Sequence, residues 1–300
     1  YPDIDVKKNY RLVRTFYNAS HVHILKPLYR TWDYRVSTDG HIIPVRIYAS
    51  NQNITERYLR VKRPVLLFFH GGGWVTGSLD SYNQVCVNLA MATGHTVVSV
   101  DYRLAPEHPF PDGLEDCYQV AKALFHNPGL VEAETDQITL IGDSAGGNLA
   151  AALSLMAHDR GEFSFQRQIL FYPVLWNDHH PESSPYPSVK ENGTDYLLTS
   201  KRICGYMELY QKDASDRENP YFAPLLAEDL SGQPRTLVIT AAYDPLRDEG
   251  EAYALRLKEA GVSVELHRME DALHGFLSLP PNFSHVKKSY ELINRFCREV

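Results

Sequence analysis

Residues 138–157 read ITLIGDSAGGNLAAALSLMA. A run of apolar and β-branched residues leads without a spacer into Gly142-Asp143-Ser144-Ala145-Gly146, and a run rich in alanine and leucine follows. A buried strand that turns abruptly into a helix accounts for this order. Ser144 then stands at the apex of a strained turn, its hydroxyl projecting out of the sheet. The positions two before and two after it must be tiny, because the turn presses strand against helix; Gly142 and Gly146 meet that demand. A glycine-rich strand-to-helix turn also serves nucleotide binders. Neither GxGxxG nor a GxxxxGK(S/T) loop occurs here, so the phosphate-cradle reading fails.

Outward from this turn, short apolar runs alternate with helical stretches. The runs are 65–69, 96–100, 138–141, 168–172, 236–241 and 262–266, and helical character falls on 82–93, 113–126, 145–160, 247–260 and 285–299. Runs without polar alternation suit strands buried on both faces. Strand–helix alternation of this kind predicts right-handed crossovers and a mostly parallel sheet covered by helices. Residues 35–49, RVSTDGHIIPVRIYA, alternate around an Asp-Gly turn and add a hairpin, for eight strands in all. Residues 1–34 and 176–223 have no strand periodicity, and the latter has one helical piece near 199–211. The chain therefore divides into an N-terminal cap segment (1–34), a core (35–175), a cap insertion (176–223) and the rest of the core (224–300). An uninterrupted loop as long as 176–198 inside a compact domain is more often a lid or binding element than filler.

Composition narrows the classes. The chain has 300 residues, 44% hydrophobic and 22% charged, with a formal net charge of −7. That balance, with no lysine/arginine run, argues against a nucleic-acid partner. No apolar stretch approaches the roughly 18 residues of a membrane span. Cys86, Cys117, Cys204 and Cys297 lie far apart without a CxxC pair and read as buried thiols in a reducing cytoplasm. The sequons at Asn18, Asn53, Asn192 and Asn282 would matter only in a secretory compartment. His179-His180, in a polar loop, reads as a solvated pair, and no metal is implied.

In open α/β sheets ligands bind at the carboxyl ends of strands, and those ends carry the chemistry here. A serine hydroxyl needs a base to take its proton and a third group to orient the base. In TLVITAAYDPLRDEG (236–250) Asp244 follows a strand directly, and in VSVELHRMEDALHGF (262–276) His274 lies in the loop after the last strand. The chain order Ser144, Asp244, His274 is that of an α/β-hydrolase triad. Asp244 could instead cap the helix opened by Pro245; Asp248 and Asp271 are rival acids, and His70 is a rival base. Attack on an acyl carbon also needs bare backbone N–H groups at the developing oxyanion. PVLLFFHGGGWVTGS (64–78) supplies a loop of three glycines at a strand end. Ala145 at a helix start is one expected donor; Gly72 and Gly73 are the others, with Gly71 as the alternative.

HGGGW (70–74), DYRLAPEHPFP (101–111), GDSAGGNLA (142–150), DPLRDEG (244–250) and HGF (274–276) together resemble the hormone-sensitive-lipase-type family of α/β-hydrolases, which includes bacterial carboxylesterases and arylacetamide deacetylases. The resemblance implies an eight-stranded sheet, a helical cap built from the N-terminus and the insertion, and ester hydrolysis without a cofactor. It also implies that Arg103 and Glu107 form a charged pair buttressing the oxyanion loop. The expected substrate is a small-molecule ester with a short-to-medium acyl chain, and the expected state is monomer or homodimer. Cap aromatics Phe16, Tyr17, Tyr186, Tyr206 and Tyr210, with Trp74, are the expected wall of the acyl pocket. An amidase would use the same triad. A non-catalytic receptor on this fold lacks the histidine that His274 supplies.

Overall fold

The structure, a computed structural model, describes residues 5–19, 29–38, 40–50, 62–131 and 133–298. The rest of the N-terminal cap segment and the Asn53 sequon lie outside the described residues. Eight strands form one sheet: β1 (Tyr29–Ser37), β2 (Ile42–Ser50), β3 (Val65–Phe69), β4 (Thr96–Val100), β5 (Ile138–Asp143), β6 (Arg167–Phe171), β7 (Arg235–Tyr243) and β8 (Val264–Leu273). Their order is β1-β2-β4-β3-β5-β6-β7-β8. β2 runs antiparallel to β1 and to β4, and every later pairing is parallel. The helices are α1 (Val6–Ala19), α2 (Asn83–Thr93), α3 (Asp112–His126), α4 (Ala145–Arg160), α5 (Pro187–Glu191), α6 (Ser200–Tyr210), α7 (Arg247–Glu259) and α8 (Ser284–Arg298).

β3 shows why the middle strands read as unbroken apolar runs. Side chains alternate between faces along a strand. Val65, Leu67 and Phe69 therefore join one core with α3, α4 and α7, while Leu66 and Phe68 join a second with α2 and α8. All five are fully buried. The hairpin differs from its predicted span: β1 starts at Tyr29, inside the segment assigned to the cap. Its residues 31–35 are exposed at the sheet edge, so no apolar pattern marks them.

The two segments left over from the sheet meet each other, since α1 packs against α6. Ile203, Met207 and Tyr210 of α6 and Phe222 beyond it belong to the same core as α3 and α4. Among the described residues no helix is long and apolar enough to cross a membrane. All four cysteines are free. Asn192 is buried and its amide donates to the Ala242 and Asp244 carbonyls, so in the folded chain that sequon is occupied by structure.

Candidate active site

The turn between β5 and α4 is as tight as its glycines require. Ser144 has φ 56° and ψ −120°, a conformation that side chains rarely adopt. A Cβ on Gly142 would lie 2.2 Å from the Gly146 carbonyl oxygen, and one on Gly146 would lie 2.0 Å from that of Phe69. The Ser144 N–H donates to the Phe171 carbonyl at 2.9 Å, which ties the turn to the end of β6.

His274 Nε2 lies 2.9 Å from Ser144 Oγ, and its Nδ1 lies 2.6 Å from Asp244 Oδ2. Three strand ends, those of β5, β7 and β8, deliver these groups to one point. The other Asp244 oxygen accepts from the Leu246 N–H at 3.0 Å, so the carboxylate starts the turn into α7 and holds the imidazole at once. Accepting the Nδ1–H leaves Nε2 as the lone-pair nitrogen facing the serine. Tyr172, at the unusual φ of 34°, packs edge-on to the His274 ring at 4.8 Å.

The rival groups are engaged elsewhere. His70 is fully buried and donates through Nδ1 to the Gly71 carbonyl at 2.8 Å; burial lowers its pKa to about 4, so it is neutral. Asp248 bonds Ser188 and Arg247, and Asp271 is exposed.

The three glycines of the loop differ in what their N–H groups meet. The Gly71 N–H already donates to Asp143 Oδ1 at 2.9 Å and to the Tyr82 hydroxyl at 3.1 Å, so it is spent. Gly72 and Gly73 have φ of 113° and 61°, and their N–H groups have no partner among the described residues. Ala145 opens α4, where the first N–H groups lack helical acceptors and the dipole is positive. Burial raises the Asp143 carboxyl to about 6, against the lowering effect of the Tyr82 and Gly71 donors.

Cap residues reach this loop. The ring of Tyr206 occupies the space where a Cβ on Gly73 would sit, 2.4 Å from its Cγ. Trp74 and Tyr210 stack face to face at 4.3 Å, with Phe222 and Phe110 around them. Of the six residues expected to wall the acyl pocket, Tyr206 lies against Gly73, while Trp74 and Tyr210 are buried in the main core, Tyr17 bonds Tyr82, Tyr186 packs on Trp176 and Phe16 is exposed.

Two expectations are overturned. Arg103 does not pair with Glu107: its guanidinium bonds Asp116 and Asp112, while Glu107 is taken by Arg14 of α1 at 2.8 Å. Asp116 is the buried partner, and a buried carboxylate is the stronger claim on a cation. His179 is not solvated. It is fully buried, with Nε2 2.6 Å from Glu249 Oε2 and Nδ1 3.3 Å from the Met207 sulfur, whereas His180 is exposed. The other Glu249 oxygen accepts the Leu175 N–H at 2.6 Å, joining the insertion to α7. No local signal separates His179 from its neighbour; a glutamate on the buried face of α7 was the only sign that a partner was needed.

Comparisons with known proteins give the family. A family model described as "alpha/beta hydrolase fold" matches residues 66–278. An arylesterase of Saccharolobus solfataricus is 36% identical over 255 residues, covering 85% of this chain and 79% of that protein. The carboxylesterase NlhH of Mycobacterium tuberculosis is 36% identical over 252 residues, covering 83% and 75%. The solved structure of an esterase from Pyrobaculum calidifontis superposes with a TM-score of 0.87 at 36% identity, covering 99% of this chain and 94% of that one. The chain belongs to the hormone-sensitive-lipase-type α/β-hydrolase family of carboxylic ester hydrolases.

Proposed function

We propose that this chain hydrolyses carboxylic esters of short-to-medium acyl length through an acyl-enzyme on Ser144. The observation that carries the reading is the Asp244–His274–Ser144 chain of contacts at 2.6 and 2.9 Å, ending on a serine in a strained turn. Ser144 Oγ attacks the acyl carbon while His274 Nε2 takes its proton. Asp244 holds the imidazole and stabilises the imidazolium that forms. Negative charge on the former carbonyl oxygen is met by the N–H groups of Gly72, Gly73 and Ala145. Collapse breaks the ester C–O bond, and His274 returns its proton to the departing alkoxide. Water, deprotonated by the same nitrogen, then frees the acid.

Residues 1–34, less the part that forms β1, and 176–223 act as the cap that limits the acyl chain. Tyr206 above Gly73 supports this, because an aromatic ring against the oxyanion loop leaves little room beside the reacting carbon. Nitrophenyl esters from acetate to palmitate test both parts. Turnover should fall steeply with chain length; palmitate hydrolysed faster than butyrate would refute the cap reading, and no turnover of any ester would refute the activity.

A further inference from the structure

We propose that Tyr17, Tyr82 and Asp143 form a positioning relay through which the N-terminal helix α1 fixes the oxyanion loop. These residues come from three segments far apart in the chain: Tyr17 from α1, Tyr82 from just ahead of α2, and Asp143 from the last position of β5. They converge on the N–H of Gly71. That N–H donates to Asp143 Oδ1 at 2.9 Å and to the Tyr82 hydroxyl oxygen at 3.1 Å. The Tyr82 hydroxyl donates to Asp143 Oδ2 at 3.0 Å, and the Tyr17 hydroxyl lies 3.0 Å from that of Tyr82.

Proton bookkeeping gives the relay a direction. A phenol carries one proton. Tyr82 commits its own to the carboxylate, so in the Tyr17–Tyr82 contact Tyr17 is the donor. The Tyr82 oxygen then accepts twice, from Tyr17 and from Gly71, and donates once, which exhausts its capacity. Removing the Tyr17 hydroxyl frees the Tyr82 oxygen from its anchor on α1, so the position from which it accepts the Gly71 N–H is no longer fixed from that side.

The consequence reaches the donors that matter. Gly71 precedes the two glycines assigned to the oxyanion, and three consecutive glycines have more backbone freedom to lose than any other sequence. The loop therefore needs a fixed point that is not itself a substrate donor, and the spent N–H of Gly71 is that point. A Cβ there would lie 2.7 Å from Asp143 Oδ2 and 2.8 Å from the Tyr82 oxygen, so loop and relay are in direct contact. α1 also holds the loop downstream. Arg14, three residues before Tyr17 on the same helix, donates to the Val75 carbonyl at 2.7 Å and to the Ala105 carbonyl at 2.8 Å. One helix thus grips the loop on both sides of Gly72 and Gly73.

The inference rests on the reading of Ser144 as nucleophile and of this loop as the oxyanion site. The test compares the parent with Tyr17→Phe, Tyr82→Phe and the double variant on nitrophenyl butyrate. It adds the inhibition constant of a trifluoromethyl ketone, whose adduct with a serine places an oxyanion in the hole. Tyr17→Phe keeps a ring that packs on Tyr82 at 6.4 Å. It should lower kcat about threefold with KM within twofold, and weaken the ketone by the factor lost from kcat. Tyr82→Phe should lower kcat about tenfold with the same split. The double variant should be no worse than Tyr82→Phe, since Tyr17 acts only through Tyr82. The relay is overturned by a Tyr17→Phe enzyme with the parent's kcat and ketone affinity, by a loss confined to KM, or by losses that multiply. Tyr17 is only half-buried on a surface helix, so Tyr17→Phe decides alone where Tyr82→Phe does not fold. Ser144→Ala is assayed in parallel. Activity surviving in it refutes the nucleophile reading, while an inactive Ser144→Ala beside an unaltered Tyr17→Phe overturns the relay alone.

Discussion

Gly146→Ala should damage stability and catalysis together, and the size of each follows from the close approach at the elbow. An added Cβ would meet the backbone at the end of β3: 2.0 Å from the Phe69 oxygen, 2.5 Å from its carbonyl carbon and 2.6 Å from the His70 oxygen. Ordinary contact begins at 3.4 Å, so α4 must move from β3 by more than 1 Å, and no flexible side chain can yield instead. Overpacking of a rigid site costs about 1–3 kcal/mol or somewhat more. Taking about 3 kcal/mol, the thermal midpoint should fall by about 6 °C in a domain of this size. The displaced helix start carries Ser144 and the Ala145 N–H with it, and a 1 Å error in such geometry costs about 100-fold in rate. Differential scanning calorimetry and nitrophenyl butyrate kinetics read both, with the loss expected in kcat more than in KM. Gly129→Ala is the control, because nothing lies within 4 Å of a Cβ there and its φ is ordinary. If Gly146→Ala matched Gly129→Ala in midpoint and in kcat, the close approach would not be what the elbow depends on.

Three further outcomes follow from the same geometry. His274→Ala should lower kcat by about 10⁴-fold or more, whereas His70→Ala should leave far more activity; the reverse order would make the glycine-loop histidine the base. Tyr206→Ala should shift acyl preference toward longer chains in the ester panel, at about 1–3 kcal/mol per methylene accommodated, and a flat profile would remove the cap as selector. Stability against pH should show two opposed contributions. His70 is held neutral with a pKa of about 4 against 6.5 unfolded, so the unfolded chain binds the extra proton and stability is lost as pH falls from 6.5 to 4. Asp143 is raised to about 6 from 3.8, so the folded chain binds the proton first and stability is gained as pH falls through nearly the same window. Each is worth about 3 kcal/mol and they nearly cancel, so Asp143→Asn should steepen the acid loss of stability and His70→Gln should reverse it. Equal slopes for parent and both variants in chemical denaturation at pH 4 to 7 would contradict this.

The candidate site is legible in the sequence because each of its demands is local. Gly142 and Gly146 are needed by the chain's own turn, Asp244 and His274 lie beyond the last two apolar runs, and the glycines at 71–73 stand where backbone must be bare; β8 itself extends to Leu273, well past its apolar run at 262–266. What stayed hidden depends on partners distant in sequence. Nothing around Tyr17 or Arg14 marks α1 as reaching the oxyanion loop, because a hydroxyl and a guanidinium on an amphipathic helix look the same whether they meet water or Tyr82. His179 reads as solvated for the same reason: its partner Glu249 is 70 residues away. The family resemblance pairs Glu107 with Arg103, yet each has a different partner, Arg14 and Asp116, supplied by helices. The first strand began earlier than its pattern because an exposed edge strand such as β1 carries no burial periodicity.

The central claim is that Ser144 is the nucleophile, and covalent labelling tests it most directly. A phosphonate or organophosphate that inactivates the enzyme should leave one adduct per chain, located by peptide mass spectrometry on Ser144, and none on the folded His274→Ala variant at the same exposure. An inactivating adduct on any other serine, or full inactivation with Ser144 unmodified, would contradict the account.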